Sequence, residues 1–306
     1  MNTFESARSF VYRNARPLDL ALWQYHFENH DKENILKVLS FYQNDDGGFG
    51  NGLELDFLNP LSSPISTWKA TEILREIDFN DKSHPIIKGI LKYLDSNADF
   101  STEHNQWMNT VPSNNDYPHA IWWTYKENEV EYRYNPTASL VGFILKFSDK
   151  DSALYKKGCV IAQEAVEWFV KNVPFEEQHI TACFITLYDC LSQENTDICD
   201  MTVFREKLRR QVSYNICDDK TVWAEKYVPK PSNFIMSRDS IFYQDNKEIC
   251  DYECEFISES QLDDGSVNVT WQWRNEFIKE FAVSENFWKS NLTLNNMRYL
   301  KAFDQI

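Results

Sequence analysis

The chain has 306 residues, enough for one large domain or two modest ones, and 42% of them are hydrophobic, which supports a packed core. Its 47 acidic and 31 basic residues give a formal net charge of −16, so we expect no nucleic-acid partner, because phosphate backbones are repelled. No apolar run approaches the ~20 residues that cross a bilayer, so no membrane span is expected. The polar N-terminus has no signal-peptide core, and the seven scattered cysteines include no Cys-x-x-Cys pair, which predicts reduced thiols and a cytoplasmic location.

Two kinds of helical segment alternate along the chain. Amphipathic segments carry one apolar stripe with charged residues outside it, and such segments cover a core. They fall at 31–43, 84–97 and 204–216. Other segments are apolar on nearly every side and must be surrounded by neighbouring elements. These lie at 17–27, 136–147 and 178–191.

This alternation is what two concentric layers of helices require. About twelve helical segments group into six hairpins, each with an outer and an inner helix. Pro17, Pro64 and Pro136 stand near the first turns of apolar segments, where proline loses no helical hydrogen bond. We therefore predict an all-α chain, an α/α toroid forming a single domain over 1–306, with an open α-solenoid as the alternative. In a toroid the N-termini of the inner helices meet at one mouth.

A glycine-rich motif follows the first amphipathic segment. Its residues run Gln43-Asn44-Asp45-Asp46-Gly47-Gly48-Phe49-Gly50, and a degenerate copy runs Gln261-Leu262-Asp263-Asp264-Gly265-Ser266. The motif resembles the glutamine–aspartate–glycine–aromatic repeat of the squalene and hopene cyclases and of the protein prenyltransferase β-subunits. The resemblance implies an α/α toroid and an isoprenoid ligand, with the repeat itself serving as structural glue.

The signatures of those families' chemistry do not accompany the repeat. The adjacent aspartates Asp45-Asp46, Asp218-Asp219 and Asp263-Asp264 extend neither to Asp-x-Asp-Asp nor to Asp-Asp-x-x-Asp. The stretch from His179 to Cys183 is only distantly similar to the zinc-binding His-Thr-Cys of prenyltransferases, and the Asp-x-Cys partner is missing. We therefore predict no metal and no cofactor.

The best catalytic candidates lie in the loop after the glycine turn. In an extended loop, Glu54 and Asp56 point to the same side, with Cα atoms about 6.6 Å apart. The loop enters an inner helix at Pro64, so both carboxylates are expected at the mouth of the barrel. Two carboxylates this close raise the pKa of one of them and leave the other ionised, and such a pair suits acid/base catalysis. The alternative is N-terminal charge stabilisation of the next helix, with Ser62 and Ser63 as caps.

A second group of residues is predicted to bind the ligand at the same mouth. Its aromatic members are expected to line the pocket, and its polar members to hydrogen-bond the ligand. The group consists of Trp68, His119, Trp122, Trp123, Tyr134, Asn135, Thr137 and His179. Ordinary roles account for several of them, since a core histidine bonds to the backbone and Asn135 and Thr137 suit a helix cap.

Three functions fit these features. Through the resemblance, the first is an enzyme of the terpenoid-cyclase or prenyltransferase kind that holds an isoprenoid in an aromatic lumen and stabilises a carbocation by cation–π contact. The second is a carbohydrate-active lyase or hydrolase, because paired carboxylates and tryptophans suit sugars. The third is a scaffold that binds a ligand or protein without turnover. The expected partner is thus a small hydrophobic or sugar-like ligand, and the oligomeric state stays open.

Overall fold

A computed structural model describes residues 2–194 and 197–306, and the described residues are predominantly helical. Two two-residue strands, β1 (Phe100–Ser101) and β2 (Gln106–Trp107), form a small antiparallel hairpin. The predicted all-α class is confirmed, while the toroidal arrangement stays a prediction. The helices are α1 (Thr3–Asn14), α2 (Pro17–Glu28), α3 (Glu33–Ser40), α4 (Pro64–Glu76), α5 (Pro85–Asp95), α6 (Thr137–Phe147), α7 (Ala153–Asn172), α8 (Gln178–Glu194), α9 (Met201–Asn215), α10 (Tyr243–Glu259) and α11 (Ile278–Ala302).

The chain folds into two compact units. The terminal unit comprises Met1–Leu39 and Val212–Ile306, and the central unit comprises Ser40–Gln211. The prediction that all the hairpins join in one domain over 1–306 stays a prediction.

The predicted proline starts are close to the observed ones. Pro17 and Pro64 are the first residues of α2 and α4, where the missing N–H costs no hydrogen bond. Pro136 lies one residue before α6 and follows a cis peptide bond. Sequence periodicity therefore locates these helices to within about a residue.

Helix α6 is the surrounded helix of the central unit. Every residue of α6 except Lys146 is buried, and the helix packs against α4, α5, α7 and α8. Helix α5 covers the core with a buried stripe that contains Ile86, Ile87, Ile90 and Leu94. The predicted distinction between surrounded and covering helices is thus confirmed for this pair.

In the terminal unit, α1 packs against α2 and α11, and α10 packs against α11. A buried ion pair lies where α2 begins: Arg16 Nε donates to Asp19 Oδ2 at 2.9 Å. The Asn291 amide of α11 donates to the other Asp19 oxygen at 3.0 Å. Burying this charge pair requires these hydrogen bonds, because an unpaired charge in a core is costly.

The glycine-rich turn docks on the first turn of α5. The Gln43 side-chain amide donates to the carbonyl oxygens of Gly47, at 2.9 Å, and of Ile86, at 3.2 Å. Gly47 has φ +95°, and a Cβ there would lie 2.1 Å from the Gly89 oxygen. Only glycine therefore fits this close approach.

The degenerate copy has the same geometry in the terminal unit. The Gln261 amide donates to the carbonyl oxygens of Gly265, at 3.1 Å, and of Thr3, at 2.9 Å. Gly265 has φ +93°, and a Cβ there would lie 2.1 Å from the Ser6 oxygen. The second copy, degenerate in sequence, docks on the first turn of α1 in the way the first docks on α5.

Candidate functional site

The predicted catalytic carboxylates lie in a buried loop. Glu54 and Asp56 are only 7% and 5% exposed, and Glu54 Oε1 accepts the Asp56 amide at 3.4 Å. The loop pairs with a second segment: the Asp56 carbonyl accepts the Ala120 amide at 2.8 Å, and Phe57 forms a β-bridge with His119. The structure thus brings the predicted acid/base loop beside the segment that carries the predicted histidine.

That histidine is held within the fold. His119 is 7% exposed, with Nδ1 2.6 Å from the Tyr117 carbonyl oxygen and Nε2 3.0 Å from Thr124 Oγ1. Trp123 packs edge-on against Phe57 with ring centroids 5.3 Å apart, and Trp122 is 44% exposed. This geometry matches the ordinary role of a core histidine with a backbone partner.

Residues at the start of α6 and just before it hold the β1–β2 hairpin. Tyr134 has φ +66° and donates its amide to Gln106 Oε1 at 2.7 Å. Thr137 Oγ1 accepts the Trp107 amide at 2.9 Å, so the residue is committed to the hairpin.

The remaining predicted ligand-binding residues are spread over three helices or their ends. Asn135 Oδ1 accepts a hydrogen bond from the Cys183 thiol at 3.6 Å. His179 is exposed in the first turn of α8, and its amide donates to Glu177 Oε1 at 3.0 Å. Trp68 is half-buried in α4.

A cavity of about 210 Å³ opens between α4, α6 and α8 of the central unit. Its walls combine three largely buried phenylalanines with five charged side chains. They also include four hydroxyl or amide side chains and one thiol. The lining residues are Thr71, Glu72, Arg75, Asp78, Phe79, Ser139, Phe143, Lys146, Phe147, Thr186, Asp189, Cys190 and Gln193.

None of the ten predicted site residues lines this cavity. The prediction placed the site at the N-termini of the inner helices, whereas Glu72, Arg75 and Lys146 belong to the C-terminal halves of α4 and α6. In the sequence, Glu72 and Arg75 look like an ordinary surface ion pair three residues apart. The sequence feature that points to the cavity is Lys146, the only charged residue of α6.

An ion cluster joins α4 to α8 at the wall of the cavity. Arg75 donates from Nη2 and Nε to Glu72 Oε2, at 2.8 and 3.1 Å. Its Nη1 lies 3.7 Å from Asp189 Oδ2, at the far end of the same guanidinium. Thr186 Oγ1 donates to Glu72 Oε1 at 3.2 Å, so both oxygens of Glu72 are held.

The two carboxyl groups differ in their environments. Desolvation by the cavity walls raises the pKa of Asp189 above its ordinary value, and the nearby Arg75 charge only partly opposes this. Glu72 is fixed as the ion-pair partner of Arg75, whose own pKa is raised chiefly by the Glu72 charge. Asp189 therefore holds a proton more readily than an aspartate in water does, and it lies near the Glu72 carboxylate that Arg75 and Thr186 bind.

The thiol in the cavity wall does not supply a nucleophile. Burial raises the pKa of Cys190 to about 12, so the thiolate is scarce at neutral pH. All seven cysteines are free. In the described part of the chain, no group of three or more His, Cys, Asp or Glu side chains is arranged to hold a metal ion.

Comparisons with known proteins give no relative from which a function could be transferred: no family model, curated protein or solved structure matches the chain. Among the described residues, no helix combines the length and apolar character needed to span a membrane. Function is therefore inferred from the chemistry of the site.

Proposed function

We propose that this chain binds a small sugar-like ligand in the cavity between α4, α6 and α8 and cleaves a glycosidic bond there. This is the carbohydrate-active alternative from the sequence, moved to a different set of residues. The observation that carries it is the Glu72–Arg75–Asp189 cluster, in which a carboxyl of raised pKa stands beside a carboxylate fixed by an ion pair. Two carboxyls whose environments differ in this way suit acid and base roles.

In the proposed reaction, Asp189 donates its proton to the glycosidic oxygen as the bond to the anomeric carbon breaks. A water molecule forms the new bond to that carbon, and its proton passes to Glu72. Arg75 lies between the two carboxyls and binds both.

The remaining lining supports binding of a sugar. Phe79, Phe143 and Phe147 offer apolar surface for the C–H face of a sugar ring, while the Ser139 and Thr71 side chains offer hydroxyl groups. The cavity of about 210 Å³ is below the range of about 300–1,000 Å³ that is usual for drug-sized ligands. A short sugar is therefore the expected ligand, which also suits the predicted cytoplasmic location.

The isoprenoid function implied by the resemblance stays a prediction, and this cavity favours it less. A hydrocarbon in the cavity would remove water from five charged side chains and return no hydrogen bonds, which is energetically costly. The predicted carboxylates Glu54 and Asp56 lie outside its lining.

The proposal is tested by turnover of a panel of nitrophenyl glycosides, with a parallel thermal-shift screen of free sugars and prenyl diphosphates. We expect one glycoside to be hydrolysed and Asp189→Asn to lower its rate by roughly 10²–10⁴-fold at an unchanged melting temperature. Asp151→Asn is the matched control, because Asp151 is exposed and outside the cavity lining. No turnover of any glycoside, together with a shift by a prenyl diphosphate alone, would return the isoprenoid function to first place.

A further inference from the structure

Lys146 is the one cavity cation that no carboxylate neutralises within the described residues. Arg75 is paired with Glu72 and approaches Asp189. By contrast, the Lys146 ammonium forms no ion pair in the described part of the chain: no carboxylate oxygen there lies within 4.0 Å of its Nζ. Its nearest charge-related contact is the face of the Phe147 ring, with the nitrogen 5.4 Å from the ring centroid.

The position of Lys146 makes this charge conspicuous. It is the only residue of α6 that is not buried, and the rest of the helix carries no charge. A lysine that merely served solubility would face open water, whereas this one lines the cavity beside Phe143 and Phe147. A half-buried ammonium without an ion-pair partner is best satisfied by an anion from the ligand.

We infer that the ligand of this cavity is an acidic sugar whose carboxylate binds Lys146. The inference rests on the proposed function and adds a substrate class to the same site. A single carboxylate fits better than a phosphate, because Glu72 and Asp78 also line the cavity and repel a second negative charge. With a chain of net charge −16, Lys146 provides the local attraction that an anionic sugar needs.

The test compares glucuronate with glucose, which differ only in the oxidation state of C6, by calorimetric titration of the full chain. We expect glucuronate to bind roughly tenfold to a hundredfold more tightly than glucose, as for a charge-assisted hydrogen bond. Lys146→Met should abolish that preference, while Lys146→Arg should retain it. Lys156→Met is the control, since Lys156 is exposed on α7 and outside the cavity lining.

Cyclohexanecarboxylate, a ring with a carboxylate and no hydroxyls, separates the two proposals. If it binds in a Lys146-dependent way while no sugar binds, the anion site stands and the sugar function fails. If glucose and glucuronate bind equally and Lys146→Met changes neither, the sugar function stands and the acidic-sugar inference is overturned. If no carboxylate binds at all, the inference is overturned as well.

Discussion

Gln43 and Gln261 make the same pair of hydrogen bonds in different units of the chain. Each side-chain amide donates to a glycine carbonyl four residues ahead and to a carbonyl in the first turn of another helix, at Ile86 or at Thr3. In each case the glycine of positive φ then meets the helix three residues further on. One sequence device thus docks a turn onto the start of a helix twice, which makes it a structural anchor.

The close approach at Gly47 predicts a large loss of stability on adding a methyl group. Gly47→Ala would place a Cβ 2.1 Å from the Gly89 oxygen, at φ +95°. Gly52 has φ +70° but only a side-chain atom of Leu58 at 3.5 Å, so Gly52→Ala is a matched control for the backbone conformation alone. We expect the control to lose about 1–2 kcal/mol and Gly47→Ala about 1–3 kcal/mol more, measured by urea unfolding. Equal losses of stability in the two variants would mean that the docked turn accommodates the added methyl group with no loss of stability beyond that of the backbone conformation.

The sequence identified the helices and the turns well, because both depend on local patterns. Each pattern involves only a few residues that are close together in the sequence: the proline positions, the apolar stripe of α5 and the glycine motif. The second glycine turn was recognisable even without its aromatic residue, since Gln261, Asp264 and Gly265 carry the geometry.

The cavity could not be predicted in the same way. It depends on Asp189 of α8 reaching Arg75 of α4, a contact between residues far apart in the chain. Acidic residues in helices are common, and what distinguishes Asp189, whose side chain is 43% exposed, is its approach to Arg75 at the cavity wall. The predicted Glu54 and Asp56 were conspicuous for their loop, but the fold buries that loop against the segment at His119.

The buried carboxyl of Glu253 is expected to make the stability of the terminal unit depend on pH. It is buried in α10, accepts hydrogen bonds from the Ser232 amide and hydroxyl at 2.7 and 2.6 Å, and lies near Lys230 and Tyr299. Burial raises its pKa to about 7, against the opposing effect of those partners. A raised carboxyl pKa contributes stability that is full below the unfolded pKa of about 4.3 and is lost as pH rises through 7.

The matched variants for this effect lie on the same helix. Between pH 4 and 8 the wild type should lose roughly 3 kcal/mol of unfolding free energy relative to Glu253→Gln, which cannot titrate. Glu255→Gln, at an exposed position of α10, should follow the wild type. Denaturant titrations at several pH values measure the difference. A Glu253→Gln curve parallel to the wild type would contradict the assignment.

Thr186 is expected to be a positioning residue that holds the Glu72 carboxylate. Its hydroxyl donates to Glu72 Oε1 at 3.2 Å and holds the oxygen that Arg75 does not bind. Thr186→Val keeps the shape of the side chain and removes this hydrogen bond. We expect a kcat on a cleaved glycoside that is roughly tenfold lower, with little change in KM, since about 1 kcal/mol of positioning is lost. Thr186→Ser should restore the rate, which a mere packing defect would not allow.

The pH profile of turnover provides the sharpest test of Asp189. As the proposed proton donor, Asp189 must be protonated, so activity should fall as pH rises through its raised pKa. The Arg75 charge is the main influence holding that pKa down, and Arg75→Met removes it. The pKa of Asp189 should then rise further, and the alkaline limb of the profile should move to higher pH, even where the maximal rate drops because Glu72 has lost its partner. A limb that moves to lower pH, or persists in Asp189→Asn, would show that another group supplies the proton.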